Sequence, residues 1–138
     1  MSYISTHNNL VQIMQHRVFR VIPALARPAF WLTLLVVTAL SLWPADSAPS
    51  ISIWSDKISH GLAYFVLGLL LALGSILTRK IHPIRLGFIL IWSAALELMQ
   101  AAPGLNRTTS LLDILANGTG LTLAYFGGLL LFVIWPRA

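Results

Sequence analysis

The sequence predicts an all-α membrane protein: a bundle of four transmembrane helices preceded by a basic amphipathic helix. Three observations carry that expectation. Hydrophobic residues fill 57% of the 138 positions and charged residues only 9%, where soluble domains carry about 25% charged. Mean hydropathy is +0.81. The apolar residues gather into four long stretches joined by short connections rich in Pro, Gly and Ser. At ~20 residues per span, four spans would use roughly 80 positions, which leaves no room for a large soluble catalytic domain. With no cysteine in the chain, disulfide scaffolds, thiol catalysis, Fe–S clusters and Cys-rich zinc sites are excluded as well.

The first element is expected from Leu10 to Ile22. Leu10, Met14, Val18 and Ile22 recur every four residues, joined by Ile13 and Val21, while Gln12, Gln15, His16 and Arg20 fall elsewhere on the helix. Such a helix lies on an anionic membrane face. Residues 1–28 then form a cytoplasmic arm and residues 29–138 the membrane domain.

The first span is expected over about Ala29 to Trp43. The sequence Ala45-Asp46-Ser47-Ala48 after it resembles a signal-peptide cleavage site. The basic region before the apolar run is too long for a signal peptide, however, and Trp43-Pro44 crowds the site, so a retained anchor is favoured. The second span runs from about Ile58 to Leu77, the third from Leu86 to Ala101 and the fourth from Leu111 to Trp135. The first and third reach spanning length only with Pro28 or Ala101-Ala102 included. Pro and Gly in WPADSAPS, TRKIHP and APGLNRTTS serve as terminators. Gly120, Ala124 and Gly128 give the fourth helix a small-residue face, suited to close packing within the chain or to a homo-oligomer contact. Trp43, Trp54 and Trp135 fall at the expected interfaces, where an aromatic belt forms.

The net charge of +5 does not point to nucleic acid, because no segment has the density of a phosphate-binding patch. The basic residues instead orient the spans. Arg17, Arg20 and Arg27 precede the first span, Arg79, Lys80 and Arg85 separate the second from the third, and Arg137 follows the fourth. The other two connections hold only Lys57 and Arg107. By the positive-inside rule both termini are cytoplasmic and connections 44–57 and 102–110 face outward.

On this topology the remaining polar residues collect at one end. Asp56, Lys57, His60 and Tyr64 open the second span, Glu97 and Gln100 close the third, Arg107 lies in the connection, and Asp113 and Asn117 begin the fourth. Asp56, His60 and Tyr64 follow i, i+4, i+8; Glu97 and Gln100 are i, i+3; Asp113 and Asn117 are i, i+4. Polar groups are costly against lipid, so they are expected to point at one another in one outward-open pocket. His60 beside Asp56, Glu97 or Asp113 has the makings of a general base, so His60, Glu97 and Asp113 are the catalytic candidates. Lys57 beside Arg107 suits a phosphate or carboxylate, such as a lipid-linked headgroup. The alternative is that these charges merely pair and pin the helix ends. No metal or other cofactor is expected: the cluster has one histidine, no HExxH, and cations that would repel another. Ser59 and Ser110 read as helix-end hydrogen-bonders rather than nucleophiles. His7, His16 and His82 need only solvated roles, and the sequons at Asn106 and Asn117 read as coincidental.

The ordered set Asp56-Lys57-x-x-His60-x-x-x-Tyr64, Glu97-x-x-Gln100, then Arg107, Asp113, Asn117 and Gly120 resembles the VanZ-like family of small bacterial membrane proteins. The resemblance covers about residues 29–135. Two positions depart from its pattern: Gly61 stands where a bulky aromatic is usual, and Ala124 where glycine is common. The resemblance implies a multi-pass protein of the bacterial cytoplasmic membrane with a role at the cell envelope, the namesake being an accessory factor in teicoplanin resistance. It marks Asp56, Lys57, His60, Tyr64, Glu97, Gln100, Arg107, Asp113 and Asn117 as a shared polar core without saying which, if any, is catalytic. Binding of an envelope lipid or lipid-linked precursor is the leading expectation. A membrane hydrolase or transferase acting on a phosphorylated or esterified lipid is the alternative, and a structural or assembly subunit the third.

Overall fold

The computed structural model describes the backbone of residues 2–44 and 53–135, and the side chains of 20–44 and 55–135. His7, His16, Arg17, Asp46, Trp54, Arg137 and the apolar face of residues 10–19 lie outside the described side chains, as does the cleavage-like segment 45–48. Four helices follow in order: α1 (Ser2–Ser41), α2 (Ile53–Gly74), α3 (Pro83–Gln100) and α4 (Leu111–Ile134). Among the described residues there is no strand. Each helix carries a stretch long and apolar enough to cross a membrane: Arg20–Ser41, Ser55–Gly74, Pro83–Gln100 and Leu111–Ile134.

The sequence divides the amphipathic arm from the first span at residue 28. The structure joins them in one helix of 40 residues with Pro23 and Pro28 inside it. A proline removes one N–H and leaves the carbonyl one turn back without its donor. Isolated losses of this kind are tolerated in a spanning helix, where the rest of the ladder continues. The apolar stretch therefore starts at Arg20 and needs no turn at Pro28.

α3 begins at Pro83, whose fixed φ suits a first helical position, after an extended His82. α4 begins at Ser110, whose hydroxyl accepts from the Asp113 backbone N–H at 3.3 Å. That is the N-cap arrangement expected of Ser with an acidic residue three positions on. At its other end α4 is closed by Arg79. This residue adopts a left-handed φ of 51° and donates to the carbonyls of Phe132 and, at 2.7 Å, Trp135. The sequence counts Arg79 only as an orienting charge; folded, it also satisfies the last carbonyls of α4.

α2 and α4 form the most extensive helix pair, α1 packs on α2, and α1 and α3 touch only sparsely. The α2–α4 approach rests on small residues. A Cβ built on Gly120 would overlap the Gly61 carbonyl and lie 2.9 Å from Phe65 N, and one on Gly128 would lie 2.7 Å from Ala72 Cβ. Ala124 is fully buried, and a Cβ on Gly68 would meet its methyl at 2.6 Å. The small-residue face of α4 is thus covered by α2 of the same chain, and Gly61 stands where this crossing is tightest. Above and below lie two cores, Leu34–Tyr64–Leu67–Ile89–Leu121 and Ala72–Ile76–Ile81–Phe132. Many large apolar side chains face outward, Ile91 and Val133 among them, which suits a lipid surround rather than water.

Candidate functional site

α2, α3 and α4 bring most of the predicted polar residues together at one end of the bundle. Lys57 is the hub. Its Nζ bonds the Asp113 carboxylate, the Asp56 carboxylate at 3.1 Å and the Ser110 hydroxyl at 3.3 Å. An ammonium has three N–H donors, and here each has an acceptor. Ser110 therefore caps α4 and receives Lys57, while its backbone N–H donates to Glu97 Oε2 at 3.3 Å. One connection residue ties the starts of α2 and α4 to the end of α3.

His60 lies between two carboxylates. Its Nε2 is 3.8 Å from Asp56 Oδ1 and its Nδ1 3.8 Å from Glu97 Oε1. Both separations exceed a hydrogen bond, and Nδ1 is buried without a bonding partner. A hydroxyl arriving on the open, Asp56 side could bond to both His60 and that carboxylate, whereas the Glu97 side is closed. Exposure falls steadily inward: the Asp56 side chain is 32% exposed and Lys57 19%, His60 13%, Asp113 7% and Glu97 2%.

Deeper in the bundle, Asn117 Nδ2 donates to Ser93 Oγ at 2.7 Å, and the Tyr64 hydroxyl lies beside the same Ser93 side chain. All three residues are buried. The Asn117 Oδ1 has no partner, the second unsatisfied polar atom of this region; such buried atoms are uncommon. Sequence reasoning passed over Ser93. Its signal was present: with Glu97 and Gln100 it forms an i, i+4, i+7 row on α3.

Two predicted residues act elsewhere. Gln100 donates to the Ser41 carbonyl at 2.9 Å, and Arg107 to the Trp43 carbonyl at 2.9 Å. Both satisfy the orphan carbonyls where α1 ends. Arg107 thus spends its Nε–H on α1, while Lys57 Nζ is taken up by the carboxylates of Asp56 and Asp113. Ser59 donates to the Ser55 carbonyl one turn back within α2, a back-bond inside the helix rather than the capping role of Ser110.

Ligand atoms of Asp56, His60 and Asp113 lie within 4.8 Å of one another, a spacing that could hold a metal ion. Lys57 Nζ, however, bonds both of those carboxylates, so a metal would have to displace an ammonium already seated between them. The donor set is that of an ion-pair network with a flanking histidine. No family model, curated protein or solved structure matches this chain.

Proposed function

We propose that the chain is a VanZ-like protein of the bacterial cytoplasmic membrane, with both termini cytoplasmic, whose outward polar cluster binds the headgroup of an envelope lipid or lipid-linked precursor. Through that binding it influences envelope assembly or glycopeptide (teicoplanin) susceptibility. The observation that carries the reading is the graded network at one end of α2–α4, exposed at Asp56 and closed at Glu97. Its edge lies at the end of the apolar spans, where headgroups lie. A phosphate oxygen entering there takes the place of Asp56, the most exposed partner, on Lys57. The released carboxylate and His60 then accept from and donate to the headgroup's hydroxyls.

Native mass spectrometry of the purified protein with a polyprenyl phosphate and the matching polyprenol tests this. The phosphate should be retained over the alcohol, and Lys57→Gln should weaken retention about ten-fold, the loss of one charge-assisted contact. Arg107→Gln should weaken it less, since that guanidinium is bonded to the Trp43 carbonyl. Equal retention of alcohol and phosphate, or unchanged binding in folded Lys57→Gln, overturns the reading.

The placement of His60 between Asp56 and Glu97 favours a second reading, a membrane hydrolase or transferase on a phosphorylated or esterified lipid. His60 would take a proton from the attacking water or alcohol as its oxygen bonds to the phosphorus or acyl carbon, then give that proton to the departing ester oxygen, and Glu97 would orient the ring. Turnover of a lipid phosphate or ester that disappears in His60→Gln supports it; a broad lipid panel left intact leaves the binding role alone.

A further inference from the structure

The opposite end of the bundle holds a second, differently built feature. Where α1, α2 and α3 meet, a cavity of about 670 Å³ is lined by Arg27 and Arg85 at its head and by apolar side chains including Phe30, Trp31, Leu71 and Phe88. A narrower furrow of about 350 Å³ continues it between α1 and α3, sharing Trp31 and Phe88 and reaching Thr38 and Trp92. There the Trp92 indole N–H donates to Thr38 Oγ1 at 3.1 Å and closes the far end. α1 and α3 pack only sparsely, which leaves the furrow open between them.

Charge decides what fits. Lys57, Arg79 and Arg107 are all bonded to carboxylates or carbonyls. The guanidiniums of Arg27 and Arg85 have no ion pair or hydrogen bond among the described residues, and no acidic residue lines the cavity. Gly74 lets the Arg27 stem lie close, since an added Cβ would stand 3.3 Å from Arg27 Cγ. Of the four acidic residues, Asp56, Glu97 and Asp113 belong to the far cluster and Asp46 to the connection that follows α1. Among the described residues, a second copy of this chain in the same orientation therefore offers no acidic side chain to these guanidiniums.

We propose that this furrow binds one anionic phospholipid, its phosphate held by Arg27 and Arg85 and one acyl chain laid along Trp31 and Phe88 toward Thr38. Guanidinium pairs suit phosphate oxygens in bidentate fashion, and basic pockets between membrane helices hold anionic headgroups. The site is at the opposite end from the polar cluster and does not depend on its function.

The test is native mass spectrometry of the full chain released from nanodiscs of equal phosphatidylglycerol and phosphatidylcholine. Wild type should retain one phosphatidylglycerol. Arg27→Gln/Arg85→Gln should lower its retention about thirty-fold, the loss of two basic contacts, while Lys80→Gln, at the same end but outside the cavity, should not. Both arginines are exposed, so the double variant should keep the wild-type unfolding midpoint. Equal retention of the two lipids, unchanged retention in the double variant, or a bound second chain lost with the arginines each overturns the proposal.

Discussion

Lys57 on α2 and Asp113 on α4, 56 positions apart, form an ion pair in which the acid is almost wholly withdrawn from solvent. The same ammonium also holds Asp56 and Ser110, so one side chain sets how the starts of two helices meet.

That pair should be strongly coupled. In a double-mutant cycle of Lys57→Gln and Asp113→Asn, the first change leaves the buried Asp113 carboxylate without its cation, the second leaves Lys57 with Asp56 as its one carboxylate, and the double change removes both charges of the pair. A coupling energy of about 1–3 kcal/mol is expected for residues in one network. Reversible unfolding in mixed micelles measures it, and additive single effects would show that the pair does not hold the helices.

Ser93 should behave as a shared partner. Ser93→Ala strips Asn117 Nδ2 of its acceptor and removes the hydroxyl beside Tyr64, and it should cost about 1 kcal/mol, the usual scale for a buried interhelical hydrogen bond in a membrane. Asn117→Ala should then cost less in the Ser93→Ala background than in wild type. Equal costs in both backgrounds would contradict the shared network.

Glycines on α4 should split sharply by position. Gly120→Ala places a methyl in the Gly61 carbonyl and should destabilise by about 2 kcal/mol or more through overpacking. Gly127→Ala meets nothing within 4 Å and should be neutral or stabilising by up to about 1 kcal/mol from helix propensity. Thermal unfolding of the two variants side by side decides the matter; similar midpoints would deny the close α2–α4 crossing.

Arg79→Gln should loosen the end of α4 and nothing else. It removes the guanidinium bonds to the Phe132 and Trp135 carbonyls and should cost about 1 kcal/mol. Hydrogen exchange should quicken over residues 131–135 and stay unchanged over 111–117. Uniform quickening would mean that Arg79 supports the whole bundle.

Orientation is directly measurable because the chain has no native cysteine. Thr108→Cys should react with a membrane-impermeant maleimide applied from outside, while Lys80→Cys should react only after the membrane is permeabilised. The reverse pattern would invert the topology.

Sequence alone determined the four apolar segments, the gathering of Asp56, Lys57, His60, Glu97 and Asp113 at one end, and the helix-end role of Ser110. These follow from local quantities: apolar run length, the 3.6-residue repeat and the cost of polar groups in lipid. Only the tertiary structure decided who pairs with whom. It gave Lys57 to Asp113, Arg107 to the Trp43 carbonyl, Gln100 to the Ser41 carbonyl and Ser93 to Asn117. It also carried α1 through Pro23 and Pro28, laid the small face of α4 on α2, and left Arg27 and Arg85 together at an open furrow. Spacing along one helix fixes which residues share a face. Which face meets which neighbour depends on the rotation and closeness of separate helices, set by the packing of the whole bundle.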